Sequence, residues 1–223
     1  MNEIKAFIFD LDGVITDSAE YHFLAWKALS DELNIPFTRE FNEELKGISR
    51  MDSLEKILVN GQMSGAYSEK EKVQLATRKN AHYCTLIEQI TPQDILPGIK
   101  ELLIDLKEHG YKIGVASVSK NAFTVLSALQ LNDMFDHIVD AKKIVNSKPD
   151  PEIFLRAAEY LSVSPEDCIG IEDAAAGIES IKSAGMYAVG VGSKDILKNA
   201  DIVVESTNEL TLSMILEKYN RNI

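Results

Sequence analysis

The sequence predicts an α/β protein: a doubly wound, Rossmann-like parallel sheet core with an all-helical cap domain inserted after the first strand. Three observations lead there. A wholly apolar run, Ala6-Phe7-Ile8-Phe9, reads as a strand buried on both faces. Between residues 18 and 90 no strand pattern follows, and apolar residues recur at helical spacing. From Pro97 onward short apolar runs alternate with helical patterns, which implies right-handed βαβ units and a parallel sheet.

Asp10 and Asp12 end the first strand and Gly13 supplies a turn, because Asp and Gly are poor strand residues. A helix follows over 19–34, with Phe23, Ala25, Trp26, Leu29 and Leu33 on one face; Asp17 and Ser18 are equally good caps for it. Further helices are predicted over 40–46, 51–60 and 68–90, punctuated by Gly47, Gly61 and Gly65. A helix over 99–109 closed by Gly110 leads to a strand over 112–116, a helix over 122–131 and a short strand over 136–139. Pro151 opens a helix over 151–161, and a strand over 168–171 precedes a helix over 175–184 closed by Gly185. Strands over 188–191 and 202–204 and a terminal helix over 210–219 complete the chain. The core domain is then 1–17 with 92–223, and the cap domain 18–91, joined near 16–18 and 91–97.

With 223 residues, 45% of them hydrophobic, the chain can bury a sizeable core. No apolar run approaches the roughly 18–20 residues of a membrane span, and residues 1–5 do not read as a signal peptide. Cys84 and Cys168 fit no metal spacing and read as free thiols in a reducing cytoplasm. A net charge of −12 argues against nucleic acid or an anionic membrane as partner. An anionic substrate would therefore need a locally positive site.

In an open parallel sheet, ligands bind at the carboxyl ends of the strands. Four such ends carry chemistry here: Asp10 and Asp12; Ser117, Ser119, Lys120 and Asn121; Lys148 beside Pro149; and Glu172 with Asp173. Singly, each also reads as a turn, a helix cap or a surface charge. Together they offer hard carboxylate oxygens suited to Mg²⁺, a lysine and serine suited to phosphate, and an aspartate able to act as nucleophile.

Asp10-Leu11-Asp12-Gly13, Ser117, Lys148 and Glu172-Asp173 match, in order and position, the four motifs of the haloacid dehalogenase superfamily, and the chain resembles it throughout. The helical insertion stands where that superfamily has its first type of cap. Within the superfamily the chain is most similar to the mutases of β-glucose 1-phosphate, through the segments 17–22, 45–50, 78–80 and 116–121. The resemblance implies a phosphorylated nucleophile at Asp10 and a general acid/base at Asp12. It implies one Mg²⁺ per subunit, held by Asp10, the backbone carbonyl of Asp12 and Asp173, with Glu172 on or beside the metal. Ser117 and Lys148 would stabilise the phosphoryl oxygens. In the cap, Arg50 would clamp the second phosphate beside Gly47 and Ile48, and His22 with Lys79 would couple substrate binding to cap closure. Ser119, Lys120 and Asn121 would reach a phosphate or a sugar hydroxyl.

The implied activity is a phosphomutase, an intramolecular phosphotransferase of the isomerase class. It would interconvert β-D-glucose 1-phosphate and glucose 6-phosphate, with β-glucose 1,6-bisphosphate as priming intermediate, in a cytoplasmic monomer. A Mg²⁺-dependent sugar-phosphate phosphatase on the same core is the alternative, and a catalytically silent binding protein a third. Gly190-Val191-Gly192 lacks the third glycine of a dinucleotide fingerprint and ends the wrong strand.

Overall fold

The computed structural model describes residues 3–221. Its centre is β1, Ala6–Phe9, and the remaining strands are β2 Lys112–Val115, β3 His137–Ile138, β4 Cys168–Glu172, β5 Tyr187–Val191 and β6 Ile202–Val204. They form one sheet in the order β3-β2-β1-β4-β5-β6, and every pairing is parallel. The order reverses at β1, whose Ala6 is in register with Lys112 on one side and Cys168 on the other. That reversal opens a crevice beyond the carboxyl ends of β1 and β4.

Side chains alternate across the strands, so β1 feeds two cores. Phe7 and Phe9 pack with Ile113, Val115, Ile169 and Ile171 against the layer built by α5 (Ile99–Glu108), α6 (Ala122–Ala128) and α9 (Leu212–Arg221). Ala6 and Ile8 face α7 (Glu152–Leu161) and α8 (Ala175–Ser183) through Ile153, Phe154, Ile178 and Ile181. Each fully buried Phe or Ile contributes about 1.5–3 kcal/mol, and β1, like β4, is buried at every position.

Between β1 and α5 lie four helices, α1 Ala19–Glu32, α2 Arg39–Glu43, α3 Arg50–Asn60 and α4 Glu69–Ile87. They carry a third apolar cluster of their own, including Trp26, Leu29, Phe37, Leu54, Ile57 and Leu75. The two segments that join them to the sheet run side by side. Leu96 N–H donates to the Ile15 carbonyl at 2.9 Å, and Thr16 Oγ1 donates to the Asp94 carbonyl at 2.7 Å.

Several boundaries differ from the sequence pattern for identifiable reasons. The 68–90 stretch leaves the helix after Ile87, because Gln89 and Ile90 make tighter three-residue turns back to Leu86 and Ile87. Ile90 is nevertheless buried in the core, so its spacing imitates the helix. The 122–131 stretch ends at Ala128, with Gln130 in the left-handed region (φ 56°) where a glycine would have signalled the stop. β4 is one residue longer than its apolar run, and Glu172 is its last paired residue, opposite Gly190. Ser18 stands at the head of α1 but makes no side-chain cap, because its hydroxyl is committed elsewhere.

Candidate active site

The crevice is built from the loops that leave β1, β2, β3 and β4. Asp10 continues the sheet for one bond, its N–H donating to the Ile171 carbonyl at 2.9 Å. Its Oδ2 accepts the Asp12 N–H at 3.0 Å, and its Oδ1 accepts Lys148 Nζ at 2.6 Å. Gly13 has φ 83°, and a Cβ there would lie 2.3 Å from Asp173 Oδ2, so only glycine lets this turn close against Asp173.

Lys148 also donates to Glu172 Oε2 at 2.7 Å, and its side chain is wholly buried. Glu172 Oε1 accepts the N–H groups of Asp173 and Ala174 at 3.2 and 3.1 Å. Ser117 follows β2 and is buried; its Oγ accepts the Ser119 N–H at 3.1 Å, and Ser119 Oγ accepts that of Asn121 at 3.3 Å. The loop thus curls back on itself toward the crevice.

Burial opposes the Lys148 ammonium, but Asp10 and Glu172 outweigh it and hold it charged above the ordinary lysine range. Burial, then the charge of Asp10, pushes Glu172 up to about 8. Burial raises Asp173 to about 7 against the pull of Lys46, and burial with Asp10 raises Asp12 to about 7. Four carboxylates therefore crowd around too little positive charge. Asp10, Glu172 and Asp173 each offer an oxygen within 4.8 Å of the others, a hard, all-oxygen donor set that fits Mg²⁺. The Asp12 carboxylate is not part of this cluster. It accepts a hydrogen bond from Ser18 Oγ and lies 3.9 Å from His22 Nε2.

The helical unit supplies the opposite wall. His22 stacks on Tyr83 with ring centroids 4.0 Å apart, and its Nδ1 meets Lys79 Nζ at 2.7 Å. Lys79 is buried over the Trp26 and Tyr83 rings, 4.7 and 4.9 Å from their centroids. Burial, with Arg50 nearby, lowers it to about 7. The same burial, with Lys79 adjacent, keeps His22 well below its usual range and so neutral. Arg50 Nη2 donates to Asn80 Oδ1 at 2.6 Å, which also accepts Asn121 Nδ2 at 2.8 Å. That pair of bonds ties the helical unit to the β2 loop.

Asp10, Asp12, His22, Gly47, Ile48, Arg50, Lys79, Ser119 and Lys120 all border one cavity of about 1080 Å³. Ser117, Lys148 and Glu172 lie buried behind its wall, and Asn121 reaches it through Asn80. Sequence reasoning missed four contributors: Lys46, 3.5 Å from Asp173; Asn80, which joins Arg50 to Asn121; and the ring pair Trp26 and Tyr83. Trp26 and Tyr83 sit at core spacing on their helices, so nothing in the sequence separates them from packing residues. Lys46 and Asn80 lie inside the segments 45–50 and 78–80 that carry the resemblance, but no role was read for them.

A doubly wound sheet with a carboxylate cluster and buried lysine at its switch point, facing a basic helical wall, is a site for transfer of an anionic group, phosphate above all. The chain belongs to the haloacid dehalogenase-like hydrolase family, whose model matches residues 4–185. It is 54% identical over 218 residues to the β-phosphoglucomutase of Bacillus subtilis (strain 168), covering 98% of this chain and 96% of that one. The crystal structure of β-phosphoglucomutase from Clostridium difficile is similar at 55% identity and TM-score 0.96, over 98% of each chain. Hexitol phosphatase B of Escherichia coli (strain K12) is 31% identical over 223 residues, covering 96% of this chain and 97% of that one.

Proposed function

We propose that this protein interconverts β-D-glucose 1-phosphate and glucose 6-phosphate through β-glucose 1,6-bisphosphate, with the phosphoryl group carried on Asp10. The observation that carries the reading is the 54% identity to the Bacillus subtilis β-phosphoglucomutase along nearly the whole of both chains. The geometry suits it. A mutase must hold a sugar with a phosphate at each end, and the cavity has cationic groups on both sides: Lys148 beside Asp10 and Arg50 in the opposite wall.

The cycle follows from these residues. Phospho-Asp10 gives its phosphoryl group to the 6-hydroxyl of β-glucose 1-phosphate, and Asp12 takes the hydroxyl proton. The bisphosphate then turns end for end. Asp10 attacks the phosphorus at C1, Asp12 returns the proton to the leaving oxygen, and glucose 6-phosphate departs from the rephosphorylated enzyme. An acid/base needs a pKa near the working pH, and burial beside Asp10 has already raised Asp12 to about 7. Lys148 and Ser117 stabilise the phosphoryl oxygens in transit, while Arg50, Ser119, Lys120 and Asn121 hold the phosphate that is not moving. Asp10, Glu172 and Asp173, with the backbone carbonyl of Asp12, would hold Mg²⁺, which would supply positive charge to offset that of the phosphoryl group in transit. Residues 18–91 act as the cap over a core of 1–17 and 92–223, with His22 and Lys79 bringing Asp12 into the closed cavity and excluding water.

The phosphatase reading draws on the 31% identity to hexitol phosphatase B. Incubation with β-glucose 1-phosphate, Mg²⁺ and a trace of the bisphosphate separates the two. Glucose 6-phosphate at the rate of substrate consumption supports the mutase. Free phosphate at that rate, without glucose 6-phosphate, sinks it.

A further inference from the structure

Helix α3 enters the cleft N-terminus first. Ser49 caps it by accepting the Asp52 N–H at 3.2 Å, and Ser49 Oγ donates to Asp52 Oδ2 at 2.6 Å. The same Oδ2 accepts a second hydroxyl, that of Ser147, which lies 95 residues along the chain on the other side of the cleft. Ser147 immediately precedes Lys148, the residue that joins Asp10 to Glu172.

The loop around Ser147 is pinned on both sides. The Glu152 carboxylate accepts the N–H groups of Val145 and Asn146, at 3.1 and 2.8 Å. The Asp150 N–H returns to the Ser147 carbonyl at 3.0 Å, and Ser180 Oγ holds the Asp150 carbonyl at 2.7 Å. A loop anchored this way cannot absorb a displacement at Ser147 and passes it through one peptide unit to Lys148. Asp52 and Ser147 both border the cavity, so the bond between them exists only when the helical unit is seated on the sheet.

We propose that Asp52 and Ser147 form a latch, made when the cap closes, that sets the position of Lys148 for phosphoryl transfer. Both are positioning residues; neither touches the substrate. The inference rests on a closing cap and on Lys148 stabilising the transferring group, as put forward above. A hydroxyl bonded to a carboxylate is charge-assisted, but this one is partly exposed, so its loss costs about three- to tenfold in turnover.

Because Asp52 also helps to cap α3, Ser147 gives the cleaner variants. Ser147→Ala is expected to lower kcat/KM for β-glucose 1-phosphate three- to tenfold, and Ser147→Thr, which keeps the hydroxyl, to restore at least half of it. Asp52→Ala should lose as much, with no further loss in the double variant. Hydrolysis of acetyl phosphate without sugar, which needs no closed cap, should stay within twofold of wild type in Ser147→Ala. Equal losses in the Ala and Thr variants, additive losses in the double variant, or a parallel fall in acetyl phosphate hydrolysis would each overturn the latch. If Asp52→Ala does not fold, the Ser147 pair decides alone. Wild-type enzyme releasing free phosphate in place of glucose 6-phosphate would refute the mutase reading instead, and the variants would still be ranked on phosphate release.

Discussion

Replacing Lys148 by Met keeps most of the side-chain volume and removes one charge from the most crowded point of the site. The ammonium lies 2.6 Å from Asp10 and 2.7 Å from Glu172, and the three side chains are between 0 and 6% exposed. Taking away one partner of a buried ion pair costs roughly 3–5 kcal/mol, because the other charge is left buried without compensation. Two carboxylates are stranded here, and they find relief by binding protons. Lys148 now lowers the Glu172 pKa against burial and Asp10, so its loss raises that pKa further. A carboxylate whose folded pKa is raised stabilises the fold below its unfolded pKa, and that stabilisation is lost as pH climbs through the folded value. The deficit should therefore be largest at pH 8 and shrink toward pH 5.5. In chelator, at about 2–4 °C per kcal/mol for a chain of this size, the melting temperature at pH 8 should fall by roughly 6–20 °C. At pH 5.5 the fall should be less than half of that. Turnover should drop by at least about 10²-fold, the usual cost of removing one charge stabiliser. A melting deficit that stays flat between the two pH values would refute the electrostatic account, whatever happened to activity.

Three further outcomes test neighbouring parts of the site. A fixed Mg²⁺ concentration of 100 times the dissociation constant at pH 8 should stabilise the fold by about 2.7 kcal/mol there and by less at pH 5.5, because protons compete for Asp173 and Glu172, raised to about 7 and 8; equal melting shifts at both pH values would count against a carboxylate-held ion. Gly177→Ala would place a Cβ 2.0 Å from Glu172 Cδ; since Glu172 is held by Lys148 and two N–H groups, the strain should cost about 1–3 kcal/mol and weaken Mg²⁺ binding in a calorimetric titration. Arg50→Ala should lower mutase turnover about 10- to 100-fold and hydrolysis of a small aryl phosphate far less, and equal losses would remove Arg50 from the second-phosphate role.

What the sequence made legible was whatever a strand end must spell out locally. Asp10, Asp12, Gly13, Ser117, Glu172 and Asp173 sit where an apolar run stops, and their residue types are wrong for continuing a strand, so chemistry and position point the same way; Lys148 lies well beyond β3, and only its place in the motif order marks it. The wall supplied by α1–α4 was less legible because helix faces are read by spacing alone. Trp26 and Tyr83 fit the apolar spacing of ordinary packing residues, yet they form the box around Lys79 and the shelf for His22. Asn80 has no spacing that marks it, and its two partners come from distant parts of the chain, Arg50 at the head of α3 and Asn121 in the β2 loop.

Ser18 shows most clearly why local rules stop short. Its position before α1 satisfies the sequence rule for a helix cap, and the capping preference is worth about 1 kcal/mol. The structure forgoes that bond, holding Ser18 at helical backbone angles (φ −79°, ψ −3°) with its hydroxyl turned to Asp12. A half-buried carboxylate beside Asp10 without a donor costs more than an uncapped N–H that other groups can serve, so the hydroxyl goes where the larger penalty lies. Ser18 lies next to the joint between sheet and cap, where the Thr16 hydroxyl binds the Asp94 carbonyl on the returning strand of chain. Motion of the proposed cap about that joint would therefore move the donor that holds Asp12. In the proposed reading the D-x-D-G loop carries the nucleophile and begins the hinge, and the helix-cap preference of Ser18 is given up where the two meet.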